Sequence, residues 1–265
     1  SNCKTAPRLY RELGAEVIAL SSSPDGGKIN VNCGSTNPVL LQKAVKEKKA
    51  HLGLAFDGDG DRLIAVDEQG QVVDGDAIMA ICAAYLKEKN QLHCDRIVAT
   101  VMSNGGLELA GEKHGFTVLR TKVGDRFVLE ELLRGHYSLG GEQSGHIIFP
   151  NVLATGDGLL TSLQLVKVMV EKGEPLSRLA AIMPRLPQFL VNCRVKTREG
   201  WETNLRIAEA VKEVEAKLGR GRILIRASGT EPLIRIMLEG EDASLLEILS
   251  RELAATVEQE MGALG

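Results

Sequence analysis

Two spacings of apolar residues alternate along the chain, one typical of amphipathic helices and the other of strands. The helical spacing predicts helices over residues 6–14, 37–50, 76–88, 104–115, 124–135, 155–173, 204–218 and 243–260. Short apolar runs predict strands over residues 15–21, 51–56, 96–101, 116–120, 190–195, 222–227 and 233–239, a strand–loop–strand segment over 137–150, and a hairpin that turns at Gln69 and Gly70. Asn104 and Thr155 stand where helix N-caps are expected.

This alternation predicts an α/β fold with more than one domain. Residues 1–74 are expected to be the C-terminal part of an α/β domain, since the first element is a helix with no strand before it. A second α/β domain is predicted over residues 75–183. Pro184 and Pro187 indicate a linker, and residues 184–265 then show the pattern of a small α+β domain. The predicted fold is therefore two α/β domains, the first incomplete, followed by a small α+β C-terminal domain.

Composition narrows the functional classes. The 265 residues are 44% hydrophobic but only 3% aromatic, so aliphatic side chains must form the cores. The net charge of −3 gives no electrostatic reason to expect nucleic acid or an anionic membrane as a partner. We find no apolar run long enough to cross a bilayer and no signal peptide. Five cysteines without a C-x-x-C pair favour a reducing compartment, the cytoplasm, over a disulfide framework or a zinc site.

The densest group of carboxylates follows the strand predicted over residues 51–56. The sequence reads D-G-D-G-D-R, so Asp57, Asp59 and Asp61 alternate with glycines and Arg62 comes next. Carboxylates this close repel one another, and Mg²⁺, which prefers oxygen ligands, would remove that repulsion. We therefore predict a magnesium site with Arg62 beside it to grip a phosphoryl group.

Two alternatives explain the same motif less well. An EF-hand calcium loop would use the three aspartates and Glu68 at its twelfth position, but Arg62 stands where that loop needs glycine, and both flanks read as strands. A solvated acidic turn would need only one D-G pair, and it gains nothing from three crowded charges.

A second polar motif, G-E-Q-S-G-H, lies between two apolar strands. Glu142, Ser144 and His146 alternate, so an extended loop would direct all three side chains to one side. Such mixed donors and acceptors suit sugar hydroxyls or an amine. A polar hairpin loop without a ligand is an equally good interpretation of this motif taken alone.

A third motif, T-K-V-G-D-R, ends a predicted strand and begins a helix. Backbone N–H groups at a helix start, with Lys122 and Arg126 nearby, suit an anion. Taken alone, an ordinary capped helix start with solvated charges is the better interpretation.

The fourth motif, R-A-S-G-T-E-P, is more specific. Ser228, Gly229 and Thr230 form a short hydroxyl-rich loop between strands, and Arg226 and Arg235 flank it. Small residues let backbone N–H groups approach an oxyanion, and guanidinium groups bind phosphate through two hydrogen bonds. We predict a phosphate site here rather than a tight hairpin with two exposed arginines.

Together the four motifs resemble those of the α-D-phosphohexomutases, in order and over essentially the whole chain. Within that family, residues 24–36, the pair Asp125 and Arg126, and Gln143 are most similar to the bacterial branch that acts on glucosamine phosphates. The resemblance implies a magnesium-dependent isomerase that interconverts glucosamine 6-phosphate and glucosamine 1-phosphate for cell-wall precursor synthesis. Glucose or mannose phosphate remains the alternative substrate, and a non-catalytic phosphosugar-binding module the alternative function.

The resemblance also implies a role for each motif. Asp57, Asp59 and Asp61 would bind Mg²⁺, and Arg62 would lie beside a phosphoserine. Lys122 would assist proton transfer or orient phosphate. Glu142 and Ser144 would contact sugar hydroxyls, with His146 close by. The distal phosphate would be held by Arg226, Ser228, Gly229, Thr230 and Arg235.

One departure from the family concerns the nucleophile. Its members carry the catalytic serine in a T-A-S-H-N-P-type loop of an N-terminal domain, and these 265 residues contain no such loop. The resemblance therefore implies that the chain corresponds to the C-terminal part of a mutase and is inactive by itself. In the full-length protein a phosphoserine would form a 1,6-bisphosphate intermediate with the sugar phosphate. A homodimer of the full-length protein is also compatible with the resemblance.

Overall fold

The computed structural model describes residues 2–23, 26–219, 221–228 and 231–262. The chain divides into two compact units, of which the first ends at Pro184 and the second begins at Arg185. Among the described helices, none is both long and apolar enough to cross a membrane.

The first unit combines helices with two sheets, which confirms the predicted α/β class. Its described helices are α1 (Thr5–Glu12), α2 (Val39–Lys48), α3 (Gly75–Glu88), α4 (Gly106–His114), α5 (Asp125–Gly135), α6 (Gly158–Lys172) and α7 (Leu176–Ala180). Its described strands are β1 (Leu52–Phe56), β2 (Leu63–Asp67), β3 (Val72–Val73), β4 (Arg96–Thr100), β5 (Thr117–Thr121), β6 (Gly140–Gly141) and β7 (Ile147–Ile148).

The topology of the two sheets brings the polar motifs to sheet ends. Strands β1, β2 and β3 form an antiparallel sheet, with Phe56 opposite Leu63 at the end that carries the aspartates. The second sheet has the order β5-β4-β6-β7, in which β4, β5 and β6 run parallel. The loops after these three strands therefore leave from one edge, the edge at which open α/β sheets bind ligands.

One aliphatic core spans both sheets of the first unit. Leu63 and Val73 of the first sheet belong to the same buried cluster as Ile78 and Met79 of α3 and Ile97 of β4, and each is at most 2% exposed. Full burial of such a side chain contributes about 1.5–3 kcal/mol. The buried core therefore continues across residue 74, where the sequence predicts a domain boundary. That boundary remains a prediction.

The second unit is a small antiparallel sheet covered on one face by two helices. Cys193, Ile234 and Ile236 on the covered face are fully buried in one cluster with Leu249 and Leu253. The opposite face is mixed, since Arg226 and Arg235 share it with Leu190, Leu224 and Met237. The strands, in the order β8-β10-β9, are β8 (Gln188–Arg194), β9 (Arg222–Ala227) and β10 (Leu233–Glu239), and the helices are α8 (Leu205–Leu218) and α9 (Ala243–Met261).

The strand predicted over residues 15–21 is wrong. Residues 15–20 form neither helix nor strand, and the side chains of Ile18 and Leu20 are 51% and 38% exposed. A strand needs a neighbour for its backbone hydrogen bonds, and no described strand pairs with this segment. Apolar spacing alone could not reveal that a pairing partner was lacking.

The predicted cap of α6 is also wrong, while that of α4 is displaced by one residue. Thr155 is exposed, and the N-cap is Asp157, whose Oδ1 accepts a hydrogen bond from Leu160 N at 2.8 Å. Asn104 precedes the N-cap Gly105, and its Oδ1 accepts a hydrogen bond from Gly106 N at 3.0 Å. Helix α7, only five residues long, was not predicted.

We expect Asp157→Ala to lower the free energy of unfolding by about 1 kcal/mol, because the substitution removes the acceptor for an otherwise unpaired helix N–H. Urea unfolding followed by far-ultraviolet circular dichroism measures the difference. Thr155→Ala is the matched control and should unfold like the parent chain. If the threonine variant lost more stability than the aspartate variant, the cap would be at Thr155 after all.

Candidate functional site

The D-G-D-G-D-R motif forms the turn between β1 and β2. The Asp57 side chain lies across this turn, and its Oδ1 accepts hydrogen bonds from the backbone N–H groups of Gly60 and Arg62, both at 3.2 Å. The Asp57 side chain is only 9% exposed. Its carboxylate therefore fixes the curvature of the loop as well as contributing negative charge.

The three aspartates converge as the sequence predicts. One oxygen from each of Asp57, Asp59 and Asp61 lies within 4.8 Å of the others. Opposite ligands of an octahedral Mg²⁺ are about 4 Å apart, so small side-chain adjustments would bring all three carboxylates onto one ion. The donor set is oxygen only, which is the set that Mg²⁺ prefers, and the residues therefore fit this ion.

The acidity of two of these carboxyl groups is shifted in opposite directions. Burial, followed by the hydrogen bond and charge of Asp61, raises the pKa of Asp57. Burial opposes the shift at Asp61, but hydrogen bonds from Asp57 and His146 and the charge of Arg62 lower the pKa of Asp61. Asp61 therefore keeps its negative charge to a lower pH than Asp57 does.

Arg62 and His146 connect this loop to the G-E-Q-S-G-H loop. Arg62 Nε lies 3.7 Å from Asp57 Oδ2 and 3.9 Å from Asp61 Oδ1. His146 is buried, and its Nδ1 lies 2.9 Å from Asp61 Oδ2. An ionised carboxylate can only accept, so Nδ1 donates. A backbone bridge between Arg62 and His146 completes the connection.

The position of Glu68 argues against a calcium loop. Glu68 accepts hydrogen bonds from the backbone N–H of Ser177, at 3.3 Å, and from its hydroxyl. It therefore holds the start of α7 and does not turn toward the aspartates. The flanking elements are strands β1 and β2, whereas an EF-hand loop joins helices.

The loop over residues 142–146 is held in place by its neighbours. The backbone N–H of Leu63 donates to the carbonyl of Gly145, and that of Gly75 donates to the carbonyl of Gln143, both at 3.0 Å. Glu142 Oε1 accepts a hydrogen bond from Gly124 N at 3.0 Å, while Ser144 Oγ lies 3.5 Å from Glu142 Oε2. Glu142, Ser144 and His146 are thus brought together beside the metal loop.

The T-K-V-G-D-R loop meets this group through Gly124, whose N–H binds Glu142. Lys122 is exposed beside it. Arg126 instead pairs with Glu130 at 2.7 Å on the surface of α5. The structure therefore brings Lys122 to the edge that carries the sugar motif, but it commits Arg126 to an exposed ion pair.

Sequence reasoning missed two glycines before and at the start of α6. A Cβ built on Gly156 would lie 2.3 Å from the His146 ring, and one built on Gly158 would lie 2.4 Å from the Arg62 carbonyl oxygen. The N–H of Gly158 also donates to the carbonyl of Gly60 at 2.9 Å. The sequence T-G-D-G was a usable signal, since two glycines around an N-cap indicate close backbone contact.

The buried carboxylate of Asp76 anchors the loop after β4, and sequence reasoning missed this role. Asp76 is fully buried, and its Oδ2 accepts a hydrogen bond from Asn104 N at 2.8 Å. Burial raises the pKa of Asp76 to about 6. From the other side, Arg120 donates to the carbonyl of Ser103 at 2.7 Å. The loop after β4, which leaves the sheet at the same edge as the loops after β5 and β6, is therefore fixed between α3 and β5.

The phosphate motif lies in the second unit. Arg226 of β9 stands directly opposite Arg235 of β10, and Arg235 pairs with Glu231 at 3.0 Å. Ser228 is buried at the end of β9. Gly229 and Thr230 of this motif, and Pro24 and Asp25 of residues 24–36, lie outside the described residues.

Comparison with known proteins agrees with this arrangement. Residues 2–70, 74–186 and 190–256 match family models described as phosphoglucomutase/phosphomannomutase alpha/beta/alpha domain II, alpha/beta/alpha domain III and C-terminal domain, respectively. The chain belongs to the phosphoglucomutase/phosphomannomutase family. The predicted family resemblance is confirmed.

Three individual proteins show how similar this chain is to known mutases and their relatives. A phosphoglucosamine mutase of Symbiobacterium thermophilum is 54% identical over 97% of this chain, which spans only 58% of that relative. A family member from Burkholderia thailandensis has the same fold, with a TM-score of 0.79 and 23% identity over 99% of this chain and 59% of its own. An Aspergillus fumigatus N-acetylphosphoglucosamine mutase, solved with GlcNAc-6P and magnesium, gives a TM-score of 0.69 and 22% identity over 88% of this chain and 54% of its own.

We expect Gly158→Ala to lower the free energy of unfolding by about 1–3 kcal/mol, because its Cβ would overlap the Arg62 carbonyl. The same shift displaces the metal loop, so Mg²⁺ binding should weaken severalfold. Urea unfolding and calorimetric Mg²⁺ titration measure the two effects. Gly240→Ala is the control, since a Cβ there has its nearest neighbour at 3.4 Å. Unchanged Mg²⁺ affinity in Gly158→Ala would show that α6 does not support the metal loop.

Proposed function

We propose that this chain is the part of a phosphoglucosamine mutase that binds Mg²⁺ and recognises the hexosamine phosphate. The observation that carries this proposal is the joining of the metal and sugar motifs: His146 of the sugar loop donates to Asp61 of the metal loop at 2.9 Å. The relatives named phosphoglucosamine mutase, at 52–55% identity over almost the whole chain, support the choice of substrate.

We assign the following roles to the residues of the site. Arg62, beside the carboxylates, would bind the phosphoryl group in transfer, and Lys122 would assist proton transfer or orient the phosphate. Mg²⁺, when bound, would supply neutralising charge at that phosphoryl group. The Mg²⁺ ligands would be Asp57, Asp59 and Asp61; the sugar would be contacted by Glu142, Ser144 and His146; the distal phosphate would be held by Arg226, Ser228, Gly229, Thr230 and Arg235.

The proposed reaction of the full-length protein follows from these roles. A phosphoserine outside these residues would transfer its phosphoryl group to glucosamine 6-phosphate. The 1,6-bisphosphate would turn round and return its 6-phosphoryl group to the serine, leaving glucosamine 1-phosphate. Each phosphate would in turn occupy the distal site, which therefore needs charge complementarity rather than contacts specific to one end of the sugar. We place this reaction in the cytoplasm, in keeping with five cysteines that form no disulfide.

Substrate recognition is tested by calorimetric titration of the 265-residue chain, with Mg²⁺, using glucosamine 6-phosphate and then glucose 6-phosphate. We expect tighter binding of the amino sugar, because the Glu142 carboxylate can pair with its ammonium group. Glu142→Gln should weaken that binding about tenfold, in line with loss of one hydrogen bond to a charged group. Glu130→Gln removes the same charge from the surface of α5 and should leave binding unchanged.

Two outcomes of this titration would count against the proposal. Equal binding of both sugars, insensitive to Glu142→Gln, would move the assignment to a general hexose phosphate mutase. Absence of binding of either sugar would show that these residues do not form the recognition site by themselves.

The missing nucleophile generates a separate prediction. These 265 residues alone should convert no glucosamine 6-phosphate in a coupled assay, with or without added glucose 1,6-bisphosphate, because they contain no T-A-S-H-N-P-type loop whose serine would carry the phosphoryl group. A full-length relative serves as the positive control. Turnover by the chain that is abolished by Arg62→Gln would refute the assignment of the nucleophile to another part of the protein.

A further inference from the structure

The open face of the second unit's sheet has a concentration of arginines at one end. Residues opposite one another in a sheet share a face, and even-numbered residues of β8 are exposed while odd-numbered ones meet the core. Arg194 of β8 is thereby on the same face as Arg235 of β10 and Arg226 of β9. We call these three residues the arginine cluster.

The spacing of the cluster follows from the strand register. Arg226 is directly opposite Arg235, which places their Cβ atoms about 4.5–5.5 Å apart. Arg194 is opposite Leu233 and thus diagonal to Arg235, at about 7–8 Å. Like charges at these positions destabilise a sheet, and a bound anion would reverse the effect.

The other end of the same face shows how this sheet compensates a guanidinium. Arg222 Nε donates to Glu239 Oε1 at 2.7 Å, and Gln188 Nε2 donates to Glu239 Oε2 at 2.6 Å. Glu239 is 1% exposed, so the carboxylate of this ion pair is enclosed, while the Arg222 side chain is 27% exposed. Arg222 therefore has its counter-charge within the protein, whereas the one described acidic partner of the arginine cluster is the exposed Glu231, which pairs with Arg235.

Arg194 is the most exposed member of the cluster, since Arg226 and Arg235 are half-buried. It is exposed, and it forms no hydrogen bond or ion pair with the residues that the structure describes. Arg198, four residues on, is already engaged, since it donates to the backbone carbonyls of Ser228 and Glu231. Arg194 lies at the sheet end where β9 leads into the R-A-S-G-T-E-P loop, and its guanidinium N–H donors have no acceptor there among the residues that the structure describes.

We propose that Arg194 is a further phosphate-binding residue, a third guanidinium that acts with Arg226 and Arg235 on the phosphate of the sugar. The R-A-S-G-T-E-P motif does not contain it, because Arg194 comes from β8 rather than from the β9–β10 hairpin. This inference rests on the proposed function, in which the same loop holds the distal phosphate.

The test measures the affinity of the 265-residue chain for inorganic phosphate at constant ionic strength. Binding is monitored through the arginine Nε–Hε signals in nuclear magnetic resonance spectra. The signals of Arg194, Arg226 and Arg235 should shift together. Arg194→Gln should raise the dissociation constant for phosphate about three- to tenfold. Arg194→Lys keeps the positive charge but loses the paired N–H donors of the guanidinium group, so it should raise the dissociation constant less. Arg235→Gln should raise it at least tenfold.

Arg251→Gln is the matched control, since Arg251 is exposed on α9 and pairs with Glu247 at 2.6 Å. It should bind phosphate like the parent chain. Normal binding by Arg194→Gln with weakened binding by Arg235→Gln would overturn the role of Arg194 and leave the phosphate site intact. Normal binding by both would remove the phosphate assignment and Arg194 with it. Equal losses in Arg194→Gln and Arg251→Gln would reduce the effect to net charge, which also overturns the proposal.

Discussion

Repulsion among three carboxylates within five residues is the constraint around which the first unit is arranged. Asp57 is stabilised from within the loop by the N–H groups of Gly60 and Arg62. Asp61 is stabilised from outside by His146, which belongs to a loop some eighty-five residues later in the chain. The hydrogen bond to Asp61 therefore forms only where the loop between β6 and β7, in the second sheet, is also in place. This dependence couples the metal motif to the sugar motif before any ligand is bound.

Close backbone packing maintains that coupling. The N–H of Gly158 reaches the carbonyl of Gly60, and the N–H of Gly75 reaches the carbonyl of Gln143. Both glycines stand at the starts of helices whose other residues enter the common aliphatic core. The helices are thus fixed by hydrophobic burial, and they in turn fix the two loops. Catalytic side chains on loops acquire their precision from such a scaffold.

Much of this arrangement could be predicted from the sequence, because the relevant signals are local. The run of Asp57, Asp59 and Asp61 after an apolar strand indicated both a metal loop and its place at a strand end. The strand over residues 15–21 failed because pairing is not local, and the Thr155 cap failed because Asp157, two residues on, offered a better acceptor. The contacts of Gly156 and Gly158, and the burial of Asp76, arise only when distant elements meet.

An excess of charge of one sign distinguishes the two proposed binding sites from the structural ion pairs. Glu239 pairs with Arg222, and Glu108 pairs with Arg120, at 2.6–2.7 Å. In both pairs the positive and negative charges balance within the protein. Asp57 and Asp61 together carry more negative charge than Arg62, which lies beside both, supplies in positive charge. The arginine cluster carries more positive charge than Glu231, its acidic partner among the described residues, supplies in negative charge. The two imbalances have opposite signs, one suited to a divalent cation and the other to a phosphate. A sugar phosphate handled with Mg²⁺ requires both, which is why an excess of charge at two separate places is better evidence for this chemistry than either alone.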